Sequence, residues 1–149
     1  ECVLEIPSVT PTIMSQTIFE KIVAGTIPSY KLYEDEHVIA ILDIFPAAKG
    51  HVLVVSKLPY PDIFHIPDEV LSAAAVASKK VAIAVQKATK ADGVNIVQNN
   101  RPAAGQEVFH YHLHIIPRFE NDGLKLNFQS GKLAEGEAKE LLDSIKAAL

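Results

Sequence analysis

The chain has 149 residues, 48% of them hydrophobic and 21% charged, the length and balance of one globular domain with a sizeable core. Its formal charge is −4 and its only arginines are Arg101 and Arg118, so no basic stripe for nucleic acid is present and an anionic ligand must be held locally. No apolar run reaches the roughly 20 residues of a membrane-spanning helix, and the single cysteine, Cys2, leaves no internal disulfide, which fits a reducing, cytoplasmic setting.

Residues 1–14 mix polar and apolar side chains with Pro7 and Pro11 and lack the basic and apolar succession of a signal peptide. They read as a flexible extension or an expression remnant, with Met14 as a natural start, and residues 15–149 read as a single domain. TIFEKIVAG predicts a short helix over 17–24: Thr17 and Glu20 have capping-box spacing, and Gly25 can end the helix in the left-handed conformation. Three strands follow at 30–33, 37–43 and 51–57, the last two rich in β-branched residues and separated by the loop 46–50. Pro67, Asp68 and Glu69 open a long helix over about 67–91, stopped by Asp92 and Gly93. Its apolar residues, among them Val70, Val76, Val81, Ile83 and Val85, spread widely enough to be covered on two sides, by a sheet and by a second subunit. VNIVQN (94–99) is a strand, 100–105 a loop, and 108–116 the last core strand, ended by Pro117. The tail over about 134–149 reads as an amphipathic helix with Leu141, Leu142, Ile145 and Leu149 on one side. Helix, strands, helix, strands implies an α+β domain with a mainly antiparallel sheet.

Within GQEVFHYHLHIIPR, three of the six histidines alternate: His110, His112 and His114. On a strand they share one face, while Tyr111, Leu113 and Ile115 point to the core. A metal site is one reading. Alternate Cα atoms are about 6.6 Å apart, so two neighbouring rings could share a zinc, with a third ligand from His51, Asp43 or Glu107. Nucleophilic catalysis is the other and preferred reading. A neutral imidazole attacks phosphorus through one nitrogen if the other is held as a donor, and a neighbouring ring can assist the leaving group. The turn formed by Gly105, Gln106, Glu107 and Val108 can cradle an anion on its amides, with Gly105 allowing close approach. His37 and His65 have no evident partner and read as surface residues.

HYHLHII fits His-φ-His-φ-His-φ-φ, with φ apolar, and resembles the histidine triad (HIT) family, nearest its Hint branch. The resemblance covers most of the chain, from about Thr17 to Arg118, and the segment from Thr17 to Val55 looks like the N-terminal half of that branch. The resemblance implies a five-stranded HIT-like fold with a short N-terminal, a long central and a C-terminal helix, pairing as a homodimer with a ten-stranded sheet. It implies hydrolysis of purine nucleoside phosphoramidates or acyl-nucleotides at the α-phosphate, with no cofactor and an AMP- or GMP-like product. His112 would be the nucleophile; His114 would contact the phosphate and help the leaving group; His110 would orient the array; His51 would support it. Asp43 would bind the ribose, while Asn99, Gly105, Gln106, Glu107 and Val108 would hold the phosphate. Ile18, Phe19, Ile22 and Ile44 would wall the base. A Fhit-type dinucleoside polyphosphate hydrolase shares the nucleophile and differs in what leaves; a nucleotide-dependent interaction protein with weak turnover is the alternative outside catalysis. The chain departs from the family in three places: Thr17 and Glu20 stand where some relatives carry zinc-binding cysteines, no tryptophan is present, and Glu107 replaces a serine. No structural zinc is expected.

Overall fold

The computed structural model describes residues 16–126 and 128–149. The expected extension over 1–14, with Cys2 and Met14, lies outside the described residues. Thr17 caps helix α1 (Ile18–Val23): its hydroxyl accepts the Glu20 amide at 3.1 Å, and the Glu20 carboxylate accepts the Thr17 amide at 2.6 Å. Both halves of the capping box are therefore made, and each satisfies a donor that a helix start would leave unpaired.

Strands β1 (Lys31–Glu34), β2 (Val38–Leu42), β3 (Val52–Ser56), β4 (Gly93–Gln98) and β5 (His112–Arg118) form one antiparallel sheet in the order β1-β2-β3-β5-β4. Asp35 turns the chain between β1 and β2 by accepting the His37 and Val38 amides at 2.8 and 2.9 Å. The long helix α2 (Asp68–Thr89) covers one face of the sheet. It lays Val70, Ala74, Ala77, Val81 and Val85 against Val38, Ala40, Val52, Val54, Leu113 and Ile115. Helix α1 covers part of the other face, where Phe19 meets Ile39, Ile41, Leu53 and Val55. The two faces follow from side-chain alternation along β2 and β3. The site lies on the α1 face.

Besides one-residue shifts at the ends of the other elements, four boundaries of the long helix and the last strand differ from the sequence reading. Pro67 is the residue before α2 rather than its first turn, and Lys90, left-handed at φ 57°, ends it ahead of Asp92 and Gly93. The last strand begins at His112, because residues 108–110 bend and the His110 amide donates to Val108 O at 2.9 Å. Pro117 continues that strand, opposite Val94, rather than ending it. The pairing of β3 with β5 stops at Val52 and Ile115, so Pro117 sits where β5 is paired on one side only, the setting in which a missing N–H is tolerated. Helix α3 (Glu135–Ala148) forms as expected and buries none of its side chains.

Candidate active site

Register brings the histidines together. Leu53 of β3 pairs with His114 of β5 and Val55 with His112, so these side chains share the α1 face of the sheet. His51, just before β3, keeps the same alternation and reaches His114. His110 precedes the strand and is fully buried beneath α1. Phe19 packs edge-on against both His110 and His112, with ring centroids 5.6 and 4.9 Å apart.

Hydrogen bonds set each ring's tautomer. His110 Nε2 lies 2.6 Å from Ser56 O, which can only accept, so Nε2 carries the proton. Its Nδ1 then accepts from Thr17 Oγ1 at 2.8 Å. His112 Nδ1 lies 2.7 Å from His110 O and must donate to it, which leaves His112 Nε2 with a bare lone pair. His51 shows the opposite polarity. Its Nδ1 accepts the Ala47 amide at 3.0 Å, so Nε2 carries the proton and donates to His114 Nδ1 at 2.9 Å. His114 Nε2 is therefore a donor. The site presents one nucleophilic nitrogen and one N–H on adjacent rings, 5.1 Å apart by centroid. Burial lowers the proton affinity of His51, His110 and His112. Burial, with His112 and His51 alongside, pushes His114 down to about 4. All four rings are then neutral near pH 7, which these tautomers require.

The cavity beside His112 and His114 has a volume of about 510 Å³. Ile18, Phe19, Ile22 and Ile44 line it, together with Asp43, Asn99, Gly105, Glu107 and Val108. Asp43 Oδ1 accepts the Phe45 amide at 2.9 Å, and its Oδ2 lies 3.6 Å from His51 Nε2. Among the described residues, Asp43, His51 and His114 are the one group whose donor atoms converge as a metal would need. That set matches part of the metal reading, but His51 and His114 direct their facing nitrogens at each other.

The expected anion cradle is narrower than four amides. Gly105 donates to Pro102 O at 3.0 Å and Gln106 to Arg101 O at 3.1 Å, closing a turn around the 3-10 segment Pro102–Ala104. Among the described residues, only the Glu107 and Val108 amides of that stretch have no intrachain acceptor. Gly105 is required by its φ of 87°, not by crowding, since an added Cβ would meet nothing nearer than Asn99 Nδ2 at 3.8 Å. Gln106 does not line the cavity. Its buried side chain clamps the loop, donating to Pro61 O and Val108 O and accepting the Arg101 amide.

His65 and His37 do have partners, away from the site. His65 Nδ1 is 2.6 Å from Asp62 Oδ1, and His37 Nε2 is 3.5 Å from Glu69. Several lining residues escaped the sequence reading: Ile27, Pro28, Ser29, Ile41, Leu42, Phe45 and Leu53. Alternation from His51 would have found Leu53. Ile27, Pro28 and Ser29 carry no periodic signal and arrive by the turn after α1.

The HIT domain model matches residues 24–121. The chain belongs to the HIT family. An uncharacterized HIT-like protein of Methanocaldococcus jannaschii is 47% identical over 129 residues, spanning 87% of this chain and 98% of its own. An adenylylsulfatase of Arabidopsis thaliana is 39% identical over 142 residues, covering 93% of this chain and 72% of its own. An adenosine 5'-monophosphoramidase of Saccharomyces cerevisiae is 43% identical over 118 residues, covering 78% and 72%. The crystal structure of a HIT family member from Bacillus subtilis superposes with a TM-score of 0.84 at 40% identity, covering 89% of this chain and 96% of that one. The three-helix, five-strand architecture is thus a HIT fold. Among the described residues, no helix is long and apolar enough to cross a membrane.

Proposed function

We propose that this HIT protein is a nucleotide hydrolase that cleaves purine nucleoside phosphoramidates or acyl-nucleotides at the α-phosphate, through a nucleotidyl group carried on His112. The observation that carries the reading is the pair of opposite tautomers: a bare Nε2 on His112 beside a protonated Nε2 on His114. A nucleophile next to a hydrogen-bond donor is what displacement at phosphorus needs. The yeast and Arabidopsis relatives, named for phosphoramidase and adenylylsulfatase activity, support the class of bond.

The purine lies against Ile18, Ile22 and Ile44, the ribose hydroxyls meet Asp43, and the α-phosphate rests on the Glu107 and Val108 amides beside Asn99. His112 Nε2 attacks phosphorus in line. Its lone pair forms the N–P bond as the bond from phosphorus to the leaving nitrogen or acyl oxygen breaks. A leaving nitrogen takes one proton, delivered from solvent through His114, whose proton affinity rises once the anionic phosphate binds beside it. His110 O and Asp43 face the positive charge left on His112; the Asp43 carboxylate already favours the charged form of that ring. Water then attacks the same phosphorus. The N–P electrons return to Nε2, the mononucleotide leaves, and one proton goes to solvent.

The reading includes cytoplasmic residence, supported by a single cysteine in the chain, and a homodimer joined through β4 and α2. Val76 and Ile83 are about half exposed on the side of α2 away from the sheet, as is Ile96 on β4.

The test is a single-turnover quench with AMP joined to an amine, followed by mass spectrometry of the peptides. The expected result is an AMP adduct on His112 that disappears in His112→Ala. Turnover with an adduct elsewhere, or with none, overturns the reading.

A further inference from the structure

We propose that the site selects substrates whose leaving group carries a positive charge, and that the Glu107 carboxylate is the group that reads it. The inference rests on the proposed hydrolysis at His112 and adds the chemistry of what departs.

Among the described residues, the charged side chains lining the cavity are Asp43 and Glu107, and no lysine or arginine lines it. The two carboxylates differ. Asp43 is engaged with the Phe45 amide and lies beside His51, with its side chain only 16% exposed. Glu107 is exposed, and among the described residues it makes no side-chain hydrogen bond or ion pair. It follows Gly105 in the loop after β4, while α1 and Ile44 supply the apolar wall of the same cavity. With the base on that wall and the ribose at Asp43, the remaining substituent on phosphorus falls to the loop that carries Glu107.

Charge then decides between leaving groups. A polyphosphate brings further negative charge into a cavity that already holds two carboxylates and neutral imidazoles, with no cationic side chain among the described lining residues to meet it. An ammonium meets Glu107 without displacing an existing partner. Amide donors hold the α-phosphate, so the binding of that one anion does not require a lysine or arginine. This separates the protein from a dinucleoside polyphosphate hydrolase by electrostatics alone.

The experiment compares three phosphoramidates of AMP that differ only at the far end of a six-carbon chain: a methyl group (hexylamine), an ammonium (hexanediamine) and a carboxylate (aminohexanoate). At low salt, kcat/KM should rank ammonium over methyl over carboxylate, each step about fivefold, the scale of an exposed ion pair. Glu107→Gln should bring the ratios to near one, and Glu107→Lys should reverse the order. Each ratio is taken within one protein, so a change in the folded fraction cancels. Raising salt should also narrow the native ratios, because an exposed pair is screened. Equal rates for the three substrates in the native protein, or ratios unchanged in Glu107→Gln, overturn the assignment while leaving hydrolysis at His112 intact. Failure of the native protein to cleave even the uncharged hexylamide overturns the hydrolase reading and this inference with it.

Discussion

At the scale of single residues, the site depends on which nitrogen of each ring holds its proton, and Thr17 stands at the start of that ordering. Its hydroxyl accepts the Glu20 amide and donates to His110 Nδ1; His110 in turn offers its carbonyl to His112. Thr17→Val keeps the shape, removes the cap and leaves a buried ring nitrogen without a donor. Destabilisation of about 2 kcal/mol is expected by denaturant unfolding, and Thr17→Ser should restore most of it. A Val variant as stable as the native protein would contradict this account. The depressed histidines also set an acid limit. His114 stays neutral in the fold down to about 4, against 6.5 when unperturbed. Between those values the unfolded chain binds a proton that the folded chain does not, so acid favours unfolding. Stability should be full above about pH 6.5 and fall as pH drops toward 4. His51, His110 and His112 shift in the same direction and add to the slope. Melting temperatures measured across this window should show the decline, and His114→Gln should flatten it; a native melting curve indifferent to pH there would contradict the neutral-ring assignment.

At the scale of elements, the site is assembled by register, and the turn into β3 holds that register. Gly50 sits at φ 97°, and an added Cβ would lie 2.7 Å from Thr89 Cγ2 at the end of α2. Gly50→Ala therefore combines backbone strain with a clash, next to His51. A loss of about 1–3 kcal/mol is expected in chemical denaturation; an unchanged midpoint would show that the turn relaxes freely. Much of this level was legible beforehand. The β-branched, apolar runs HVIAILD and HVLVVSK gave β2 and β3, and Thr17 with Glu20 gave the cap of α1. The alternation of the histidines misplaced the start of β5. His110 continues the His-x-His pattern, but its ring is committed to Thr17 and Ser56 and its amide to Val108, so the chain bends there. Pattern reports which way side chains point, not where a ladder of hydrogen bonds begins. The far lip of the cavity, with Ser29 and Phe45, was hidden for a related reason: those residues reach the site through long-range packing with no local period. Gln106 was expected to offer its amide to an anion, but that amide closes the turn onto Arg101 O, and its side chain clamps the loop.

At the scale of the whole molecule, the two edges of the sheet are unlike. The β1 edge carries Lys31 and Glu34, ion-paired to each other, and its register shifts between Lys31 and Tyr33. Charge and irregularity of that kind blunt an edge against pairing. The β4 edge, GVNIVQ, has neither a charged residue nor a proline. Beside it, Val76 and Ile83 stand seven residues apart on α2, which places both on one side of the helix. An open edge next to an apolar helix face is a surface that a second copy can extend, β4 against β4, into ten strands. Sedimentation at micromolar concentration should show a dimer. Paired Val76→Glu and Ile83→Glu substitutions, which alter residues about half exposed in the single chain, should yield a folded monomer. The His112 adduct should survive in that monomer, because the residues proposed to form it, from Thr17 to His114, all belong to one chain. A native protein that sediments as a monomer would refute the dimer, and a folded monomeric variant that no longer forms the adduct would mean that the partner completes the site.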